Sequence, residues 1–392
     1  MTAQPRFTIF VPMTRPDLAH KALSSIKEQS FTDFEVVVSD NSQNEKSSEL
    51  EEYLDDRFQF LIHQKRLDVI ANWNSLIETS KGQWLLFVCD DDVLVEDALS
   101  IIDREIRKNP TSEIFSYRFV SYYPDGLHVA ERLRRQIIRP RVFSFKSTLI
   151  SPNIVARQMM NSGTGFHGIK DTVPYVPLAA VNTNLIKKCL KKGDGNLFRG
   201  WCPMISGAVS TISTTDSDFV IIDSPLVVLG NPPQSAGAIN VDDTTYKTMH
   251  KPKPITHAKL SDTLNFANVT AETFLQTKEI FPKKFGSIEF NWGRYFLACG
   301  LEIFSEERHR DHRHQKVLEL DIQARRMLSV FQFYKFRFQL FKNWLKLEFK
   351  FRFTFGTVDQ ENNVIAVADD MDQAKVIMSQ LVKKHAIASL NH

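Results

Sequence analysis

Three consecutive carboxylates, Asp90, Asp91 and Asp92, come one residue (Cys89) after the apolar run Trp84-Leu85-Leu86-Phe87-Val88. Like charges at that spacing resist simultaneous ionisation, so a triplet at the end of a buried strand needs compensation. A divalent cation supplies it. Mg²⁺ or Mn²⁺ takes one or two carboxylates and completes its shell with phosphate oxygens and water. The plainer alternative is an acidic cap on the next helix, Val95 to Lys108, stabilised by the helix dipole; three acids in a row favour the site. A fourth acid, Asp40, ends the β-branched run that begins at Glu35, and Asn41 is next in the chain. Open parallel sheets bind ligands at the carboxyl ends of their strands. Both acidic positions fall there.

The elements that must position these residues alternate regularly. Phe7 to Val11, Glu35 to Ser39, Phe58 to Ile62 and Trp84 to Val88 read as strands. Between them, Asp17 to Gln29, Ser47 to Leu54 and Val69 to Ser80 carry apolar residues at helical spacing. Strands alternating with helices predict a doubly wound α/β layer with a mostly parallel sheet. Beyond Pro110 the rhythm changes. Ile114 to Tyr123 predicts a strand pair broken at Pro124-Asp125-Gly126, and residues 134–180 read as loop-dominated. Helices are expected over Asn182 to Lys192 and Met204 to Ser213, then a strand at Phe219 to Ile222. From Leu260 onward the pattern is largely helical.

Two stretches carry a family resemblance. FTIFVPMTRPDLAHKALSSIKEQSFTDFEVVVSDNS and ANWNSLIETSKGQWLLFVCDDDVL, in that order, resemble family 2 glycosyltransferases of the nucleotide-sugar-binding GT-A fold. The resemblance is strong over residues 6–110 and fades through residue 235. It implies that Pro12 and Thr14 line the nucleotide pocket and that Asp40 hydrogen-bonds the base, usually uracil. Asn41 stands where many members have a second Asp. Arg66 and Asn72 would approach the nucleotide and donor sugar. Asp90 and Asp92 match the outer positions of the DXD motif, with Asp91 between them and Asp92 as the direct ligand of Mn²⁺ or Mg²⁺. Pro12 as a strand terminator and Asn72 as a helix-face residue are the plainer alternatives. SPLVVLGNPPQSAGA resembles a segment that leads into a loop closing over donor or acceptor.

One departure concerns the general base. Inverting members use an Asp or Glu that deprotonates the acceptor hydroxyl, and here Met204 comes after Pro203 at the expected place. Methionine cannot take a proton. Asp194 in the KKGDGN turn and Asp171 in the HGIKD loop are the substitutes, although a turn Asp is more often structural.

The whole chain bounds these readings. It has 392 residues, 43% hydrophobic and 24% charged, which fits a folded chain of two units rather than a disordered one. The net charge of +3 gives no reason to expect nucleic acid. No run of about 18 apolar residues is present, and the N-terminus has no signal-peptide pattern, so a cytoplasmic protein is expected. Cys89, Cys189, Cys202 and Cys299 lack the clustering of a disulfide framework or zinc site. Interleaved arginines make the RHRDHRHQK tract a solvated basic face rather than a metal site.

Phe331 to Phe353 is the oddity, with eight Phe, six Lys or Arg and a single Glu. As a helix it has a polar stripe of Lys335, Gln339, Lys342, Lys346 and Lys350, with Phe336, Leu340, Trp344, Leu347 and Phe351 away from it. That pattern suits the inner membrane surface. Packing on the catalytic domain, packing in a homodimer and a period-two hairpin stay open. The expected organisation is a GT-A-like domain (1–235), a flexible Pro/Gly-containing loop (236–258) and a mostly helical extension (259–392). The expected function is sugar transfer from a nucleoside diphosphate donor, a UDP-sugar, to a glycan or lipid-linked acceptor in cell-surface polysaccharide synthesis. A non-catalytic nucleotide-sugar or glycan-binding scaffold is the alternative, with Met204 as its support. A nucleotidyltransferase would want a glycine-rich loop after the first strand, and VPMTRPD has no glycine.

Overall fold

A computed structural model of the chain describes residues 4–43, 50, 55–124, 135–138, 142–164, 173–232, 254–260, 265–305, 313–353 and 364–388. Its strands are β1 (Phe7–Met13), β2 (Phe34–Asp40), β3 (Phe58–Ile62), β4 (Trp84–Phe87), β5 (Val93–Leu94), β6 (Ile114–Tyr122), β7 (Gln136–Ile138), β8 (Ser147–Ile150), β9 (Ala179–Asn182), β10 (Phe219–Gly230) and β11 (Val364–Val367). All belong to one sheet, in the order β11-β7-β6-β9-β4-β1-β2-β3, with β10 pairing β5, β6 and β8. The half that holds β3, β2, β1 and β4 is parallel. In the other half β9 runs antiparallel between β4 and β6, while β10 runs parallel to β6. The α/β class with a helical C-terminal part is as expected, and the parallel character belongs to the first half.

The apolar patterning explains the parallel half. β1 is buried along its whole length, as a strand covered on both faces must be. Helix Pro16–Lys27 turns Ala19, Ala22, Leu23 and Ile26 onto one face of the sheet. Helix Val69–Ile77 covers the other face with Trp73 and Leu76, and Trp73 stacks on Phe87 of β4 at 5.0 Å. The Asp68 side chain caps that helix by accepting from the Ala71 amide at 2.9 Å.

Two sequence readings change. Residues 134–180 are not loop-dominated: they hold β7, β8, β9 and the helix Pro152–Ser162, capped by Ser151. Val155, Ala156, Met159 and Met160 face the core from that helix, an apolar repeat obscured by the polar residues around it. Second, the strand at Phe219 runs on to Gly230, because a bulge at Pro225 lets it stay paired with β6. The part after residue 259 is largely helical among the described residues, and it also adds to the sheet. β11 pairs antiparallel with β7, and helix Met371–Ala388 packs on β10 and β5. The helix expected over Ser47–Leu54, the turn at Asp125-Gly126, the His309–His312 tract, Asp171 and most of the 236–258 loop lie outside the described residues.

Val330–Phe353 is a single helix, so the hairpin alternative falls. The side of it that carries Phe333, Phe336, Leu340 and Trp344 faces the protein, and Phe336 meets Phe296 of helix Trp292–Ser305 at 6.2 Å. Of the openings left for this apolar face, packing within the chain is the one it takes. Helix Phe266–Ile280 joins this layer to helix Pro203–Thr214.

The fully buried Glu272 anchors the chain where it re-enters this layer. Its carboxylate accepts from the backbone amides of Thr256 (2.9 Å), His257 (2.8 Å) and Ala258 (2.6 Å). Burial alone would raise its pKa, but these donors outweigh it and hold the carboxyl below its usual range. The His257 ring bridges Glu272 at 3.2 Å and Glu279 at 2.9 Å. Burial opposes the imidazolium, yet the two carboxylates prevail and raise its pKa above 6.5. A raised histidine contributes stability that is fully present below the unfolded value and is lost as pH rises through the folded one. Thermal unfolding scans should therefore show a drop in Tm above pH 6.5 that His257→Gln removes. Parallel pH profiles for the two proteins would contradict this.

Candidate functional site

The carboxyl ends of β1, β2 and β4 meet at one place. Met13 is in register with Asp40, and the next residue, Thr14, donates its backbone amide to Asp90 at 2.8 Å. The Arg15 amide donates to the same carboxylate oxygen at 2.9 Å. The Arg15 guanidinium also clasps Asp90 and reaches Asp91 at 3.1 Å. Asp90 is therefore the group that joins the end of β4 to the β1 loop. Burial works against the charge on Arg15, but Asp90 and then Asp91 outweigh it and bind the proton more tightly than usual.

That arrangement differs from the expected pairing of Asp90 with Asp92. Asp90, expected as an outer metal ligand, spends its oxygens on the Thr14–Arg15 loop. Asp91, expected between the ligands, joins Asp92 instead. The turn that closes with the Asp92 amide donating to the Cys89 carbonyl at 3.1 Å brings these residues together. One ligand atom from each of Cys89, Asp91 and Asp92 lies within 4.8 Å of the others. Burial pushes Asp91 up to about 6, with Arg15 opposing and Asp90 adding. Burial and then Asp91 push Asp92 well above the usual carboxylate range. Among the described residues the fully buried Tyr117 hydroxyl has no hydrogen-bond partner, and burial, then Asp92 and Cys89, resist its ionisation.

A hard divalent cation fits this donor set. Two crowded, buried carboxylates gain from a nearby positive charge, and oxygen ligands suit Mg²⁺ or Mn²⁺. The Cys89 sulfur is a softer donor than either ion prefers, and burial, then the three carboxylates, raise its pKa.

The other expected residues divide between pocket and scaffold. Pro12 is buried in β1, paired with Ser39. Asp40 is buried, and its carboxylate accepts from the Ser42 amide at 3.0 Å and hydroxyl at 2.6 Å. Asn41 exchanges two hydrogen bonds with the backbone of Leu67, donating at 3.0 Å and accepting at 2.8 Å, so its side chain holds a loop. Buried Asn72 accepts from Ser39, whose hydroxyl also meets His63 at 2.8 Å. Arg66 is exposed.

Asp194 has another occupation. Arg199 grips it through Nε at 3.1 Å and a second nitrogen at 2.5 Å, and the Asn196 amide donates to it at 3.1 Å. The Arg199 hydrogen bond holds its pKa below the usual value, the opposite of what a base that accepts a proton near neutral pH needs. Met204 stands near the start of helix Pro203–Thr214, packed against the core.

Arg15 and Gly230 were missed by sequence reasoning. The Gly230 amide donates to Asp92 at 3.1 Å across 138 positions of chain. A Cβ on Gly230 would lie 2.0 Å from the Asp91 carbonyl oxygen, so the end of β10 could not come so near the triplet with any side chain present. The only signal was a glycine closing an apolar strand. Gly230→Ala should cost about 1–3 kcal/mol of stability as an overpacked position and should weaken Mn²⁺ binding measured by titration calorimetry. Unchanged Tm and metal affinity would show that the two loops are not so close.

Comparison with known proteins bears mainly on the first half of the chain. Residues 9–161 match the family model described as Glycosyl transferase family 2. A curated GalNAc(5)-diNAcBac-PP-undecaprenol beta-1,3-glucosyltransferase of Campylobacter jejuni subsp. jejuni serotype O:2 is 31% identical over 103 residues, 25% of this chain and 33% of that protein. The match thus spans about a third of the relative's length. Among solved structures, S. aureus TarS 1–349 in complex with UDP-GlcNAc aligns at 12% identity and a TM-score of 0.48, covering 94% of this chain and 98% of that one. S. aureus TarS 1–349 by itself aligns at 14% identity and a TM-score of 0.44, with the same coverage. Likenesses that loose bear on neither ligand nor activity. The family match covers residues 9–161, the layer that carries β1, Asp40 and the Asp90–Asp92 triplet, and it is this segment that is similar to glycosyl transferase family 2.

Proposed function

We propose that the chain transfers a sugar from a nucleoside diphosphate donor, a UDP-sugar, to a glycan or lipid-linked acceptor in cell-surface polysaccharide synthesis. The observation that carries the reading is the junction of Thr14, Arg15 and Asp90 with the Asp91–Asp92 pair beside Asp40. The lipid-linked acceptor takes its support from the Campylobacter relative, a glucosyltransferase named for an undecaprenol-linked substrate. The transferase unit would comprise residues 1–235 with the returning segment 364–388, acting at the inner face of a membrane. No helix among the described residues is long and apolar enough to cross one.

Each residue then has a physical task. Asp40 offers an acceptor to the base, and Pro12 and Thr14 form the neighbouring wall. Asn41 and Asn72 keep the β2 end and the 63–68 loop in place. Asp91 and Asp92 would hold Mn²⁺ or Mg²⁺, which when bound stabilises a departing diphosphate as a Lewis acid. Arg15, shared between Asp90 and Asp91, supplies a second positive charge for phosphate oxygens. Gly230 fixes the rotamer of Asp92 through its amide.

Titration of the purified protein with UDP, with and without Mn²⁺, tests this. Asp92→Asn keeps the shape and removes the charge, so metal-dependent binding should fall by at least roughly 10–100-fold, the cost of disturbing even a metal's outer partners. Asp90→Asn should instead weaken UDP binding with and without Mn²⁺ and lower Tm, because it loosens the β1 loop. Metal-dependent binding by Asp92→Asn equal to wild type would contradict the assignment.

An inverting course, with a carboxylate taking the acceptor proton, is part of the proposal, and its base is left unassigned. Asp194 would have to leave Arg199 to serve. Asp194→Asn should therefore lower Tm and leave UDP-sugar turnover within a few-fold of wild type. A loss on the order of 10²–10⁴ in kcat would instead make it the base. The scaffold alternative draws on Met204 and on the pairing of Asp194, and predicts UDP binding with no turnover of any UDP-sugar.

A further inference from the structure

Helix Val330–Phe353 is 24 residues long, and apolar residues occur on every side of it. One side is used: Phe333 and Phe336 are 7% and 3% exposed against the helices Trp292–Ser305 and Arg313–Met327. A second side is not. At 100° per residue Val330, Tyr334, Phe338 and Phe341 fall in one stripe, and they are 76%, 67%, 66% and 55% exposed. Phe331 beside them is 77% exposed, and Leu318 on the preceding helix is 55% exposed. Between the two helices lies an open cavity of about 610 Å³, lined by Phe304, Val317, Tyr334, Phe338, Phe341 and Trp344 among others. Single exposed apolar side chains are ordinary, whereas a contiguous patch with a groove in it marks an interaction surface.

Charge indicates the occupant. Residues 325–345 hold five Lys or Arg and no Asp or Glu. Lys335 and Lys342 are exposed and flank the aromatic stripe on its far side from the core. The neighbouring Asp321 is engaged by Arg325 at 3.3 Å and Arg337 at 3.7 Å. A second copy meeting this face would bring the same positive charge against it, which disfavours association. An anionic lipid surface complements both stripes at once. Aromatic rings settle at the headgroup boundary, and each Lys or Arg near such a surface is attracted to it. The helix spans roughly 36 Å at 1.5 Å per residue, and it is too short of apolar character to cross a bilayer.

We propose that the stripe Val330, Tyr334, Phe338 and Phe341, with Lys335 and Lys342 beside it, docks on an anionic lipid bilayer and lays this helix in the headgroup plane. The face that docks is not the Phe333–Phe336–Leu340 side, which packs inward. Docking requires neither donor nor acceptor, so its test is separate from that of sugar transfer.

Co-sedimentation of the full chain with vesicles reads it directly. The protein should pellet with phosphatidylcholine vesicles that contain phosphatidylglycerol, pellet far less with phosphatidylcholine alone, and be released by added salt. Lys335→Glu combined with Lys342→Glu should cut the apparent affinity about tenfold or more. Phe338→Ser combined with Phe341→Ser should do likewise, and because all four side chains are exposed, Tm and UDP binding should not change. Wild-type affinity retained by both double variants would overturn the proposal. So would absence of vesicle binding, and a concentration-dependent dimer abolished by Phe338→Ser would then identify a second copy as the occupant.

Discussion

The site depends on the buried Asp90 carboxylate, which takes the Thr14 and Arg15 amides on one oxygen and the Arg15 guanidinium across both. β1 and β4 are neighbours in the sheet, and their ladder ends where the Val88 amide donates to the Phe10 carbonyl at 2.9 Å, while β1 stays paired with β2 as far as Met13. Asp90 carries the connection between β1 and β4 past that point. It joins the end of β4 to the loop after β1 in one lip, at the cost of a buried ion pair that must keep both partners. With Asp90 spent on structure, Asp91 and Asp92 carry the unrelieved negative charge. Burial and then the crowding of like charges raise their pKa values.

The remainder of the fold braces this lip. β10 pairs with β5 just after the triplet, and Gly230 at its end reaches Asp92. The last helix closes the arrangement from outside: Met371 lies against Gly230, and Ser379 accepts from the Glu96 amide at 3.1 Å. A segment almost 300 residues downstream thus supports the loop next to the carboxylates. This is why the C-terminal part does not divide cleanly from the first half of the chain.

Much of this was legible in the sequence, for identifiable reasons. Buried parallel strands are continuous apolar runs, so β1 to β4 are found to within about two residues, and Asp40 and the triplet are then located by the strand ends. The partition of roles within the triplet was not legible. It depends on which carboxylate Arg15 reaches, and three identical residues in a row carry no information about that. Gly230 was hidden for another reason: its partner is remote in sequence, and glycine requirements of close approach leave no local pattern. In the aromatic helix, apolar residues on every face make periodicity ambiguous. The groove between helices Trp292–Ser305 and Arg313–Met327 chose the Phe333–Phe336 side, and only the packed structure reveals the stripe left over.

If Asp90 is committed to the β1 loop, then Asp91 and Asp92 are the carboxylates left to face a cation and diphosphate in the proposed reaction. A crystal structure of the protein with UDP and Mn²⁺, with anomalous scattering measured at the manganese edge, decides between these carboxylates. The expected result is an anomalous peak within bonding distance of Asp91 and Asp92, Asp90 still holding the Thr14 and Arg15 amides, and the base beside Asp40. A peak on Asp90, or UDP bound with no manganese and Arg15 unmoved on Asp91, would contradict it.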